Sequence, residues 1–69
     1  MNTLYITNKT DKPMRATISD SSTGNSLIVY ELHPGYNEII VNSLENGSYT
    51  ILLSDDKNDI FYQQRLIKD

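Results

Sequence analysis

The chemistry open to this chain is narrow: one histidine, no cysteine and nine carboxylate side chains. His33 precedes Pro34 in a turn-forming His-Pro-Gly run. A zinc site needs several His, Cys or carboxylate ligands converging on one point. A nucleophile needs a base beside it. A single imidazole in a solvated turn meets neither need. Serines are plentiful, but no Gly-x-Ser-x-Gly elbow is present, and neither is a phosphate-binding glycine loop. Asp55, Asp56, Asn58 and Asp59 crowd one segment with hard oxygen atoms of the kind calcium takes. That segment lacks the glycine and closing glutamate of an EF-hand loop, and reads more simply as a charged hairpin tip. Asn8-Lys9-Thr10 and Asn46-Gly47-Ser48 have the form of glycosylation sequons, triplets that are frequent by chance. The expectation is a protein that is not an enzyme and holds no cofactor or metal.

Two further groups of residues could act by binding. Tyr5, Tyr30, Tyr36, Tyr49 and Tyr62 would make a sugar-stacking platform if several shared an exposed face. Packing within a sheet is the simpler reading for each, and Tyr36, beside Gly35 in a turn, is the best placed for exposure. The basic residues Lys9, Lys12, Arg15, Lys57, Arg65 and Lys68 are scattered and outnumbered, for a formal charge of −3. Nucleic-acid binding relies on clustered positive charge, so no nucleic-acid partner is expected. No apolar run has the length of a transmembrane helix. The first ten residues lack the basic and apolar regions of a signal peptide.

The elements that must carry these residues are strands. At 69 residues the chain is one domain, residues 1–69, near the lower limit for folding alone. Its apolar residues are mostly Ile, Leu, Val and Tyr, with a single alanine, Ala16. Such residues suit a pleated, half-buried surface, and the abundant Asn, Asp, Ser and Thr suit its turns. Six apolar stretches stand out: Thr3–Thr7, Met14–Ser19, Ser26–Leu32, Glu38–Asn42, Tyr49–Ser54 and Ile60–Ile67. The second alternates cleanly, with Met14, Ala16 and Ile18 on one face. The third is nearly continuous in apolar residues, which suggests burial on both faces or a bend. The sixth has two mixed faces and leaves its buried side open. Gly24, in the Asp20–Asn25 turn, is free to take positive φ. This spacing of strands and turns predicts an all-β fold, a small antiparallel immunoglobulin-like β-sandwich of six to seven strands.

One motif sharpens the fold. Leu44-x-x-Gly47-x-Tyr49 leads into a strand. In immunoglobulin-like sandwiches a tyrosine near the start of strand F bonds back to upstream backbone and locks the crossover between sheets. Tyr49 is read as that corner tyrosine, with Gly47 giving a tight bend and Leu44 plugging the core. Counting outward, Glu38–Asn42 is strand E, Tyr49–Ser54 is F, Ile60–Ile67 is G, and the first three stretches are A, B and C.

Ile18-x-Asp20, Thr23-Gly24-Asn25, Leu32-x-x-Gly35-x-Asn37-x-Ile39, Leu44-x-x-Gly47-x-Tyr49-x-Ile51 and Gln64-Arg65-Leu66-Ile67-Lys68 follow one another over nearly the whole chain. In that order and spacing the chain resembles the C-terminal sorting domain of the type IX (Por) secretion system of Bacteroidetes. It lacks that family's Pro-Asn-Pro lead-in, and it ends on acidic Asp69 where a base is common. The resemblance implies an address module, exported to the periplasm, outer membrane or cell surface as part of a larger precursor. Its partner would be a secretion-machinery protein, an outer-membrane translocon or shuttle. Recognition would involve the tail Arg65, Leu66, Ile67, Lys68 and Asp69, because an edge strand near a chain end offers unpaired backbone groups. The same edges predict a homodimer. The alternative function is an immunoglobulin-like accessory or adhesion module that binds carbohydrate or protein through its loops.

Overall fold

The computed structural model describes residues 2–69 as six antiparallel strands with no helix. The strands are β1 (Thr3–Asn8), β2 (Met14–Asp20), β3 (Ser26–Leu32), β4 (Gly35–Ile40), β5 (Gly47–Ser54) and β6 (Ile60–Lys68). β1 pairs with β4 in a two-stranded sheet, and the other strands form a four-stranded sheet in the order β3-β2-β5-β6. The two sheets face one another as a small β-sandwich. Between them lies a core of Ala16, Ile18, Leu32, Ile39, Val41, Leu44, Tyr49, Ile51 and Leu66. The alternation of β2 and β5 explains this directly, since Ala16, Ile18, Tyr49 and Ile51 each follow a two-residue period onto one face.

The strand letters differ from those the sequence suggests. The strand beside β5 is β2, not β3, so β2 takes the C position and β3 the C′ position. β1 pairs with β4, which makes it B to that strand's E. No described strand stands in the place of A. Counting from the N-terminus assumes an A strand, and none precedes β1 among the described residues. β3 is also not buried on both faces. It is an edge strand, and Leu27 and Val29 are 49% and 58% exposed. A bare outer face can carry apolar residues, so a continuous apolar run does not by itself mean double burial.

Two buried asparagines organise the turns. Asn8 donates from Nδ2 to the Lys12 carbonyl at 2.8 Å, and its Oδ1 accepts from the Thr10 amide at 3.0 Å and hydroxyl at 2.7 Å. Asn37 accepts from the His33 amide at 2.9 Å and donates to the His33 carbonyl at 2.9 Å and the Gly35 carbonyl at 3.0 Å. His33 is therefore held by its backbone as part of this turn. Gly35 opens β4 at φ +95°, which starts that strand ahead of the expected Glu38. The Asp20–Asn25 turn is closed by the Asp20 carboxylate, which accepts from the Ser22 hydroxyl at 2.6 Å and the Ser22 amide at 2.8 Å. Those bonds hold the Asp20 carboxyl below its ordinary value. Gly24 takes φ +77° there. In the acidic hairpin, Asp55 accepts from the Lys57 and Asp59 amides at 2.9 and 3.0 Å, and Asn58 takes φ +64°. That carboxylate is spent on shaping its own turn.

Gly47 is the exception among the glycines. It is extended at the start of β5, and a Cβ there would meet only the Tyr49 ring and hydroxyl, at 3.8–3.9 Å. The tight bend expected of Gly47 needs no positive φ at that residue. The two positions therefore separate on substitution. Gly35→Ala should cost roughly 1–3 kcal/mol through its positive φ, and Gly47→Ala within about 0.5 kcal/mol. Thermal unfolding of the two variants side by side checks this.

Candidate functional site

The terminal strand β6 is the outer edge of the four-stranded sheet, and its tail residues divide by face. Leu66 lies opposite Tyr49 and Lys68 opposite Gly47, and both side chains are buried, at 6% and 7% exposure. Leu66 belongs to the core. The Lys68 ammonium donates to the Leu44 carbonyl. Arg65 and Ile67 point the other way and are exposed, with Arg65 Nε on the Ser48 hydroxyl at 3.2 Å. Asp69 follows the strand and is exposed. Of the five tail residues, then, Leu66 and Lys68 are built into the fold, and Arg65, Ile67 and Asp69 are exposed.

The buried pair connects to the corner motif. The Tyr49 hydroxyl donates to the Glu45 carbonyl four residues upstream. Leu44 reaches the core at 9% exposure. The loop between β4 and β5 is thus gripped twice, by Tyr49 on Glu45 and by Lys68 on Leu44. The periodicity of β6 hid this, because a lysine in an apolar-mixed strand reads as solvated. A long apolar stem with a carbonyl at its end is what lets Lys68 lie inward.

The sandwich is closed on one side and open on the other. Tyr30, on edge strand β3, donates from its hydroxyl to the Ile40 carbonyl of β4 at 3.1 Å, tying the two sheets together. At the other side, β1 and β6 leave a groove of about 550 Å³. Its walls include Leu4 and Ile6 from β1, and Tyr62 and Gln64 from β6, above Ile51 and Leu53. Tyr62 and Gln64 share the inward face with Leu66, as their pairing with Leu53 and Ile51 requires, yet both are exposed.

A third feature sits on the outside of the small sheet. Tyr5 and Tyr36, on β1 and β4, stack with ring centroids 5.7 Å apart and an interplanar angle of 13°. They are 57% and 63% exposed, and Ile40 on the same face is 49% exposed. Partial desolvation, then Tyr5 and Glu38, hold the Tyr36 hydroxyl above its ordinary value. Tyr36 is exposed as its position beside Gly35 implied. Its partner Tyr5 is turned outward by the alternation that sets Leu4 and Ile6 inward. Tyr30 and Tyr49 serve the fold instead.

Among the described residues no cluster of three or more His, Cys, Asp or Glu is arranged to hold a metal. No described helix is long and apolar enough to cross a membrane. No protein-family model, curated protein or solved structure matches the chain.

The double grip on the corner gives a direct test. Lys68→Met keeps the apolar stem and leaves the Leu44 carbonyl without its donor. It should lower stability by about 1–3 kcal/mol in urea unfolding. Arg65→Met, on the exposed face, should change it by no more than about 0.5 kcal/mol.

Proposed function

We propose that this domain is a non-catalytic recognition module that presents the outward face and free edge of its terminal strand to a partner protein. The observation that carries this reading is the position of β6. It is a sheet edge, with Arg65 and Ile67 projecting outward beside the unpaired backbone. A partner strand added there would gain main-chain hydrogen bonds, with alternate side chains giving selectivity. The resemblance to sorting domains of the type IX secretion system names the class of partner: an outer-membrane translocon or shuttle that receives exported cargo. In that role the module rides at the end of a larger precursor.

The buried residues change how the tail must be tested. Deleting residues 65–69 would remove Leu66 and Lys68 and damage the core, so loss of activity would say nothing about recognition. The double substitution Arg65→Glu, Ile67→Asp leaves both in place.

A second reading is favoured by the exposed Tyr5–Tyr36 pair. Aromatic faces beside polar groups suit sugar rings, and adhesion modules use such platforms. Here the pair lies on a sheet face, with Tyr36 at its loop end.

One pair of assays separates the two. Fused to a reporter in a bacterium with a type IX system, the native domain should bring the reporter to the surface. The Arg65→Glu, Ile67→Asp variant should reduce display by about ten-fold, the loss of about 1.4 kcal/mol of recognition, and Tyr36→Ala should not. Undiminished display of the tail variant would overturn the sorting reading. Specific binding of the isolated domain on a glycan array, lost with Tyr36→Ala, would favour the adhesion reading.

A further inference from the structure

A sandwich of this connectivity lacks one strand. β1 and β4 hold the B and E positions, and the A position beside β1 is empty among the described residues. The vacancy coincides with the groove between β1 and β6. Four strands span about 14 Å and two strands about 5 Å, from a spacing near 4.8 Å. The small sheet therefore falls short of the large one, and Tyr30 anchors it at the β3 side. All of the shortfall lies over β6, where Tyr62 and Gln64 are bare.

The edge of β1 that faces this gap is chemically defined. The Val41 amide donates to the Asn2 carbonyl at 2.8 Å. With the register Thr3–Ile40, that bond makes Asn2 and Val41 a hydrogen-bonded pair. Alternation along the ladder then turns the N–H and C=O of Thr3, Tyr5 and Thr7 away from β4, toward the groove. Here is a row of backbone donors and acceptors above an apolar floor of Ile51 and Leu53.

The geometry points to a single extended peptide segment of a partner protein as the occupant, added antiparallel to β1 as the missing strand. Alternate side chains of the segment would drop into the groove and must be apolar. Among the described residues that line the groove, Lys9 alone is charged, and it follows the C-terminal end of β1. An antiparallel strand begins at that end, so an acidic residue at the start of the segment completes the match. A second copy of this chain does not fit. In an antiparallel β1–β1 pairing about a two-fold axis, the β6 strand that overhangs β1 in one copy would collide with its counterpart. Only a lone strand enters beside β1 and above β6. This inference does not rest on the sorting role, which uses Arg65 and Ile67 on the opposite face of β6.

The test uses the whole domain and a synthetic peptide, capped at both ends, of an aspartate followed by three Val-Thr pairs. Amide chemical shifts should move saturably at Thr3, Tyr5, Thr7 and Gln64, and the amides of Thr3, Tyr5 and Thr7 should become protected from exchange. Methylating the threonine amide nitrogens of the peptide, which lie opposite Thr3, Tyr5 and Thr7, or scrambling its sequence, should weaken binding by about ten-fold or more. Tyr5→Pro removes a donor that the fold does not use and should abolish binding. The methylated peptide tests the same bonds without altering the protein. Absence of binding at millimolar peptide, equal binding of the scrambled peptide, or shifts confined to Leu27 and Val29 of β3 would overturn the proposal. So would a concentration-dependent dimer that protects the β1 amides without any peptide.

Discussion

The structure turns on a mismatch of width, in which a two-stranded sheet lies over a four-stranded one and can seal only part of it. The pair β1–β4 is drawn to the β3 side by the Tyr30 hydroxyl on the Ile40 carbonyl. Between the sheets on that side, Ala16, Ile18, Leu32, Ile39 and Val41 are almost fully enclosed. Away from that side the enclosure weakens strand by strand. Ile51 on β5 is still buried, Leu53 only partly, and on β6 burial is confined to Leu66 and Lys68. A 69-residue chain without disulfides has little apolar surface to lose. It keeps its core under the covered half and leaves one groove and its edge strands for other use.

The lower end of the sandwich shows how that economy is enforced. The loop from Leu44 to Asn46 makes the crossover between sheets, and three side chains fix it. Leu44 fills the core, Tyr49 holds the Glu45 carbonyl, and Lys68 reaches from the last strand to the Leu44 carbonyl. Among the described residues, no buried side-chain polar atom lacks a hydrogen-bond partner. Since an unpaired buried polar group costs about 1–3 kcal/mol, this satisfaction matters in so small a domain. It also means that Leu66 and Lys68 of β6 are built into the fold, while the outward face of that strand stays exposed.

Much of this fold was legible from residue types and spacing. Clean alternation in β2 and β5 marked their inward residues, and Leu44-x-x-Gly47-x-Tyr49 marked the corner, because both are local patterns with a local cause. What escaped was set by neighbours in space. Nothing in Ser26–Leu32 says whether its second face meets another sheet or water, so its apolar run suggests burial on both faces or a bend where β3 is an edge with a bare outer face. Lys68 is inward because a carbonyl of a distant loop waits for it. Gly47 fits a motif read as a tight bend, and takes its place there without a positive φ. The Tyr5–Tyr36 stack depends on the register of β1 against β4, which joins residues some thirty positions apart in the chain.

Hydrogen exchange of the isolated domain in its native state tests the central claim, that the β1 edge facing β6 is open. The amides of Thr3, Tyr5 and Thr7 should exchange far faster than those of Ala16 and Ile18 in the covered strand β2, with Leu4 and Ile6 in between. Protection of Tyr5 and Thr7 equal to that of β2, in a dilute monomeric sample, would mean that the edge is already covered and would contradict the account.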